Sequence, residues 1–476
     1  MLMQHFSLLV VAVYLTALAS IPLAVKRSRT PQGATAWCVA LLSFPFLTLP
    51  LFLIFGRSKF YGYVESHRAA AAHVVGRLSE LHRSILQVSA EVSDDWIAFA
   101  KLIENVNKMP FSRGNHVDLL LNGDATYDSM IAAIGEAKKY ILLQSYILRD
   151  DEIGRRILDA LRDKALQGVA VYILFDRIGS MDLDQKFMQQ CAIDGLNIRP
   201  FLTSRRGRRW QINFRNHRKI MVVDGTSAHV GGLNIGDDYL GLHSRVGHWR
   251  DTHVRIKGPA AIQAQVAFAK DWFWAAGYIP QLNWTIPDDF GPARVAITHT
   301  GPADVTSYAT LSHLAAFNSA RSRIWIATPY FVPDEPIERA LELAARRGVD
   351  VRCLLPARND NLMIQMASLT YVDRLQKAGV EFYRYPGKSK GFLHQKCFLI
   401  DDALSAVGST NLDNRSLHIN FESQAFILDQ SFAKMLHDSF MVDFDRAEKI
   451  SIDHFSRKNY WRRLAAKCLN LAAPIL

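Results

Sequence analysis

His217-Arg218-Lys219-Ile220-Met221-Val222-Val223-Asp224-Gly225, continued by Gly231-Gly232-Leu233-Asn234, decides the fold, because its pattern returns later in the chain. The second copy is His394-Gln395-Lys396, then Asp401, Gly408-Ser409 and Asn411. Every matched position is displaced by 177 residues without a gap, so the chain carries an internal repeat. Upstream the halves also correspond. Tyr140-Ile141-Leu142-Leu143 precedes Gly168-Val169-Ala170-Val171, as Arg323-Ile324-Trp325-Ile326 precedes Gly348-Val349-Asp350-Val351. Apolar strand, helix ending in Gly-Val and apolar strand make a βαβ pattern. The expected fold is therefore α/β, with two lobes related by a pseudo-two-fold axis and a cleft between them.

Each motif also reads as a local hairpin. Lys219 to Val223 runs out, Asp224-Gly225 turns, and Ala228 to Val230 returns. His217 and Lys219 then share a strand face at the open end, where Asn234 joins them. Asp224 lies seven residues further on, roughly 23 Å away at about 3.3 Å per residue. That distance suits a turn-capping or lobe-packing carboxylate. Asp251, in Trp249-Arg250-Asp251-Thr252-His253, and Glu422, in Asn420-Phe421-Glu422, are better placed to hold the histidines.

Paired histidines, lysines and asparagines at one interface suit phosphodiester transfer. One neutral imidazole attacks, its protonated counterpart donates to the leaving oxygen, and Lys and Asn hold the phosphoryl oxygens. No HExxH, CxxC or acidic metal-ligand spacing accompanies them, so neither a metal nor a cofactor is expected.

Composition bounds the rest. The chain has 476 residues, 49% hydrophobic and 21% charged, which excludes a disordered tail or a collagen-like fibre. A formal charge of +11 suits an anionic partner. The apolar residues concentrate at the start, where Phe6 to Val25 and Ala36 to Phe55 carry no charge. About 20 helical residues reach across a hydrocarbon core of roughly 30 Å, so the expectation is a two-helix transmembrane hairpin. No Lys or Arg precedes Phe6, which argues against a signal peptide. Lys26, Arg27 and Arg29 in the connecting loop balance Arg57, Lys59 and Arg68 beyond it, so loop charge leaves the facing open. The five scattered cysteines lean toward a reducing compartment and a cytoplasmic soluble part.

The pattern His-x-Lys-x4-Asp-x6-Gly-Gly/Ser-x-Asn, present twice, resembles the phospholipase D superfamily. The strings Asn216-His217-Arg218-Lys219-Ile220, Trp249 to His253, Tyr330-Phe331-Val332-Pro333-Asp334, Gly408 to Ser416 and Asn420 to Glu422 are similar, more narrowly, to bacterial cardiolipin synthases. The resemblance covers nearly the whole chain. It implies transfer of a phosphatidyl group between two phosphatidylglycerol molecules, through a phosphohistidine, giving cardiolipin and glycerol. It implies His217 as nucleophile and His394 as acid and then base. Lys219, Lys396, Asn234 and Asn411 would hold the phosphate, Asp251 and Glu422 would orient the histidines, and Asp224 and Asp401 belong to the motif triads. The alternative is a hydrolytic phospholipase D or a phosphodiesterase/nuclease of the same superfamily.

Expected partners are phosphatidylglycerol, other anionic phospholipids and the membrane, with no nucleic acid. The expected location is the bacterial inner membrane, multi-pass. The expected parts are residues 1–59 as hairpin, 60–110 as helical connector, 111–290 as first lobe and 291–476 as second lobe with a C-terminal tail. Gly225 against Asp402, and Gly232 against Ser409, are the departures between repeats, and both bear on hairpin shape. Arg205-Arg206-Gly207-Arg208-Arg209-Trp210 is a candidate surface for anionic lipid. Trp461 to Leu464 and Leu469 to Leu476 either lie on a bilayer or pack on the second lobe. Trp272 to Trp274 either floor the cleft or belong to the core.

Overall fold

The structure is a computed structural model that describes residues 2–56, 59–60, 62–64, 83–202, 213–242, 247–387, 391–452, 454 and 458–475. Residues 65–82 of the expected helical connector and the basic run Arg205–Trp210 lie outside these residues, as do Arg57 and Arg68.

The N-terminal segment corrects the two-helix hairpin. Helix α1 (Leu2–Arg27) contains Gln4–Arg27, the one helix among the described residues long and apolar enough to cross a bilayer. The second apolar segment is broken into α2 (Pro31–Ser43) and α3 (Pro45–Phe55). Pro45 lacks the N–H a continuing helix needs, and its ring clashes with the preceding turn. Phe44 takes φ −136° and ψ 58° at the break. The pieces, 13 and 11 residues, reach only about 20 and 16 Å. The multi-pass expectation fails on the same break.

Trp37 and Phe52 flank that break, yet their ring centroids are 5.2 Å apart. Fifteen residues of straight helix would separate them by about 22 Å. Helix α3 therefore folds back along α2. Tyr14 of α1 meets Phe46 at 6.4 Å, and Ala17, Ala24, Leu41 and Phe52 bury together.

The remaining described residues form two halves built on seven matching strands each, with Glu448–Lys449 added as a short edge strand beside Glu381–Tyr385 of the second. The first contains β1 (Ser112–Leu121), β2 (Tyr140–Ser145), β3 (Ala170–Asp176), β4 (Asn197–Phe201), β5 (Ile220–Val223), β6 (Ser227–Gly231) and β7 (Thr252–Lys257). The second contains β8 (Ala293–Thr300), β9 (Arg323–Ala327), β10 (Asp350–Pro356), β11 (Glu381–Tyr385), β12 (Cys397–Ile400), β13 (Leu404–Gly408) and β14 (Asn420–Leu428). Their order is β11-β10-β9-β12-β13-β14-β8 followed by β1-β7-β6-β5-β2-β3-β4, the same sequence of equivalents read outward from the centre. β1 and β8 join the halves antiparallel, with Ser112 opposite Val295 and Asn115 opposite Ala293. In each half the βαβ strands are parallel, β2 with β3 and β9 with β10. Both faces of such strands are covered, so they read as continuous apolar runs.

One core crosses the boundary between halves. Val222, Val230 and Val254 pack in the same cluster as Leu399, Val407 and Ile427. The long helices α4 (Ala260–Ala276) and α5 (Gln430–Arg446) contribute Ala264, Phe268, Phe432 and Phe440 to it. Trp272 is fully buried and stacks on Phe268, so it belongs to this core. The C-terminal helix Tyr460–Asn470 packs on Leu362–Gln376 of the second half, leaving Trp461 exposed.

Candidate active site

The hairpins form in both halves. β5 pairs with β6 through Ile220 to Val230 and Val223 to Ser227, and β12 pairs with β13 through Cys397 to Val407 and Ile400 to Leu404. Asp224 (φ 53°) and Asp401 (φ 52°) begin the turns in left-handed geometry. Asp and Asn tolerate this region better than most residues. Gly225 continues left-handed at φ 72°, whereas Asp402 does not, which is the local difference between the two turns.

The turns place these aspartates away from the histidines and give both the same partners. Asp224 accepts from the backbone N–H of Lys138, Lys139 and Tyr140, each at 2.8 Å. Asp401 accepts from the N–H of Arg321, Ser322 and Arg323, between 2.8 and 3.3 Å. Each carboxylate thus ties its turn to the start of the first strand of the βαβ unit. The hydrogen bonds to these N–H groups hold Asp401 below the usual carboxylate range against the opposing effect of its partial burial.

At the open ends the halves exchange partners. Arg215–Asn216 pairs with Asn420–Phe421, and His217 N–H donates to Phe421 O at 2.9 Å. Trp249–Arg250 pairs with Phe392–Leu393, and His394 N–H donates to Arg250 O at 2.8 Å. The carboxylates follow the backbone. Glu422 of the second half sits 3.0 Å from His217 Nδ1, and Asp251 of the first sits 2.7 Å from His394 Nδ1. With Nδ1 engaged, Nε2 is the nitrogen His217 offers to a substrate, while Lys396 Nζ stands 3.1 Å from His394 Nε2 and 3.0 Å from its Nδ1.

Burial governs the electrostatics. It pushes His217 down to about 4 and His394 down to about 3, against the pull of their carboxylates. Burial raises the carboxyls of Glu422 and Asp251, but the adjacent histidine and lysine charges outweigh it and hold both low. Lys396 is pushed down to about 8 by burial, and Lys219 also falls well below the ordinary lysine range. Both lysines turn back on their own motifs. Lys219 Nζ donates to His217 O at 2.7 Å and Lys396 Nζ to His394 O at 2.6 Å.

Both histidines, Asn234 and Asn411 line one cavity of about 930 Å³. The asparagines differ. Asn234 accepts from Ile147 N–H at 3.1 Å and donates to the Tyr239 hydroxyl at 2.8 Å. Asn411 Oδ1 is buried and has no hydrogen-bond partner among the described residues. Ser409 and Gly232 act at the carboxylates. The Ser409 hydroxyl donates to Glu422, whereas a Cβ on Gly232 would come within 2.1 Å of Asp251 Oδ1.

Sequence reasoning missed a supporting layer. Arg218 pairs with Asp271 of α4 at 2.6 Å and donates to Glu422 O at 3.1 Å. Arg250 pairs with Asp443 of α5 at 2.8 Å, and Gln395 donates to the same carboxylate. These buried pairs fix the strands that carry Glu422 and His394. Their value lies in placement more than net stability. Asp271, a single acid in the apolar stretch of α4, was the available signal. The cavity also presents Arg149, Arg215, Arg358 and Arg415 beside Asp238, Asp360 and Asp413, a charged lining that no motif announced.

Comparison with known proteins gives the family. The family profile described as "Cardiolipin synthase, PLD-like domain" matches residues 130–272 and 314–444, and "Phospholipase_D-nuclease N-terminal" matches residues 10–57. The chain is 40% identical over 469 residues to cardiolipin synthase A of Pseudomonas fluorescens (strain SBW25), covering 97% of this chain and 96% of that one. It is 41% identical over 456 residues to cardiolipin synthase A of Pseudomonas syringae pv. syringae (strain B728a), covering 94% of each. Among solved structures, phosphatidylserine synthase of Haemophilus influenzae Rd KW20 aligns with TM-score 0.61 and 14% identity. It covers 80% of this chain and all of that one, a likeness of fold alone.

Proposed function

The chain belongs to the cardiolipin synthase family of phospholipase D-like proteins, and from that premise we propose how its two histidines divide the reaction. It is a phosphatidyltransferase that makes cardiolipin from phosphatidylglycerol, working on anionic phospholipid at a membrane interface.

His217 Nε2 attacks the phosphorus of the first phosphatidylglycerol. A P–N bond forms and the P–O bond to the headgroup glycerol breaks. His394, in its imidazolium form, passes its Nε2 proton to that oxygen, and glycerol leaves. The headgroup hydroxyl of a second phosphatidylglycerol then gives its proton to His394 as its oxygen attacks phosphorus. The P–N bond breaks, cardiolipin leaves, and both histidines return to their starting states.

Glu422 stabilises the positive charge that develops on His217 during attack, and Asp251 does the same for the protonated His394. Burial keeps both imidazoles neutral in the empty cavity, as the nucleophile His217 needs, so His394 takes up its proton only with the bound substrate. The negative phosphodiester favours the imidazolium at His394, and Lys219, Lys396 and Asn411 hold the phosphoryl oxygens where charge accumulates. Asn234 shapes the wall through Ile147 and Tyr239.

The observation that carries this reading is the exchange of carboxylates between halves, which gives one cavity two oriented imidazoles. Incubating the detergent-solubilised protein with phosphatidylglycerol alone tests it. Cardiolipin and glycerol in equal amounts are expected, while phosphatidic acid as the sole lipid product would replace transfer by hydrolysis.

A further inference from the structure

The helix pair α2–α3 carries no charge from Pro31 to Phe55, and both its ends rest on the catalytic body. At one end Arg29 Nη2 donates to His418 O at 3.5 Å. At the other, Ile54 and Phe55 line the histidine cavity itself. Just beyond, Phe60 is fully buried, with ring centroids 5.3 Å from Phe214 and 5.1 Å from Trp274, and Lys59 Nζ donates to Val305 O at 3.0 Å. The opposite end of the pair is the bend, where Phe44 is 70% exposed and Leu47 67% exposed.

We propose that α2–α3 is a re-entrant wedge that enters a single leaflet and guides the acyl chains of the substrate phospholipid along α3 into the histidine cavity. The lengths agree. Arms of about 20 and 16 Å cannot cross a hydrocarbon core of about 30 Å, but they fill the half nearest the catalytic body. The bend beside Phe46 lies against Tyr14, midway along α1, as a one-leaflet wedge requires. A bare apolar bend also has no other favourable surroundings, since burying apolar side chains is what stabilises it. Ile54 and Phe55 then form a continuous apolar path from the leaflet to the reacting headgroup. The identity of the occupant as phospholipid rests on the transferase reading above.

The wedge differs from a second crossing in where residues 28–32 emerge. A crossing puts them on the membrane face opposite the two halves, and the wedge puts them on the same face. The test uses the full chain in membrane vesicles, with exposed Cys468 and half-buried Cys38 replaced by serine and single cysteines introduced by His5→Cys, Gln32→Cys or Lys101→Cys. A membrane-impermeant maleimide is applied to right-side-out and inverted vesicles. The Gln32→Cys variant is expected to label from the same side as Lys101→Cys, with His5→Cys labelling from the other. Labelling of Gln32→Cys from the side opposite Lys101→Cys would overturn the wedge.

A second measurement tests the guiding role with a variant away from the cavity. Phe46→Ser with Leu47→Ser is expected to slow transfer from phosphatidylglycerol vesicles at least fivefold, while transfer from monomeric dihexanoyl-phosphatidylglycerol stays within twofold. Equal effects on both lipids, or none, would overturn the guide. An unaltered chain inactive on both lipids would overturn the transferase reading, while the labelling result would still decide the wedge.

Discussion

Glu422, from the second half of the chain, holds His217 of the first, with both carboxylate oxygens 3.0 Å from the imidazole Nδ1. The carboxylate is fully buried and accepts from Ser409 and from Asn420 Nδ2 at 3.2 Å, so its position is set before substrate arrives. Glu422→Gln keeps the size of the side chain but removes the charge that stabilises a phosphorylated or protonated imidazole. We expect kcat to fall by about 10²–10⁴-fold with little change in KM. Steady-state kinetics in mixed micelles separates the two. A change confined to KM would assign Glu422 to substrate binding instead.

Gly232 and Ser409 occupy equivalent positions and predict unequal losses. Gly232→Ala puts a methyl group where Asp251 stands, so His394 loses its orienting partner and kcat falls by about a hundredfold or more. Ser409→Ala removes one hydrogen bond to Glu422 and leaves its place open, a loss of about tenfold. Comparing the two variants at equal folded concentration checks the order.

Asp224 and Asp401 predict a stability effect. Asp224→Ala removes the acceptor for three backbone N–H groups and places alanine at a positive φ. The expected loss is about 2–4 kcal/mol of unfolding free energy, read as a lowered denaturation midpoint. Asp224→Asn, which suits the left-handed turn and retains an acceptor, loses less. Turnover per folded molecule is expected to change far less than in the Glu422 variant.

The pH profile follows from two buried groups. In the loaded cavity, where the phosphodiester holds the proton on His394, His217 is neutral above about 4, so protonation of the nucleophile sets an acid limb of kcat near pH 4. Lys396, near 8, is charged below that pH and neutral above it, so the hold on the phosphoryl oxygens weakens as pH rises through about 8. Lys396→Arg retains its charge across this range and is expected to move the alkaline limb upward by at least one pH unit. An unmoved limb would assign it to another group.

The repeat was open to reading because chemistry and turn geometry both recur at one displacement, as in His217/His394 and Asp224/Asp401. The exchange of carboxylates was not. It depends on Trp249–Arg250 meeting Phe392–Leu393, and Arg215–Asn216 meeting Asn420–Phe421, which local spacing does not encode. Asp251 and Glu422 were therefore visible as orienting residues without their partners. Hydropathy misled at Ala36–Phe55, since an apolar average ignores the N–H missing at Pro45. The sequence ties Ser409 to the hairpin shape, yet its effect is on Glu422, a contact that exists only once β13 lies beside β14.

The most direct test of the two-histidine account is rapid acid-free quenching of turnover with phosphatidylglycerol labelled at its phosphorus, followed by peptide mapping. The account predicts label on the peptide containing His217, stable to base and lost in acid as a P–N bond requires, and no label in His217→Ala. Label on His394, or cardiolipin formed at full rate by His217→Ala, would contradict it.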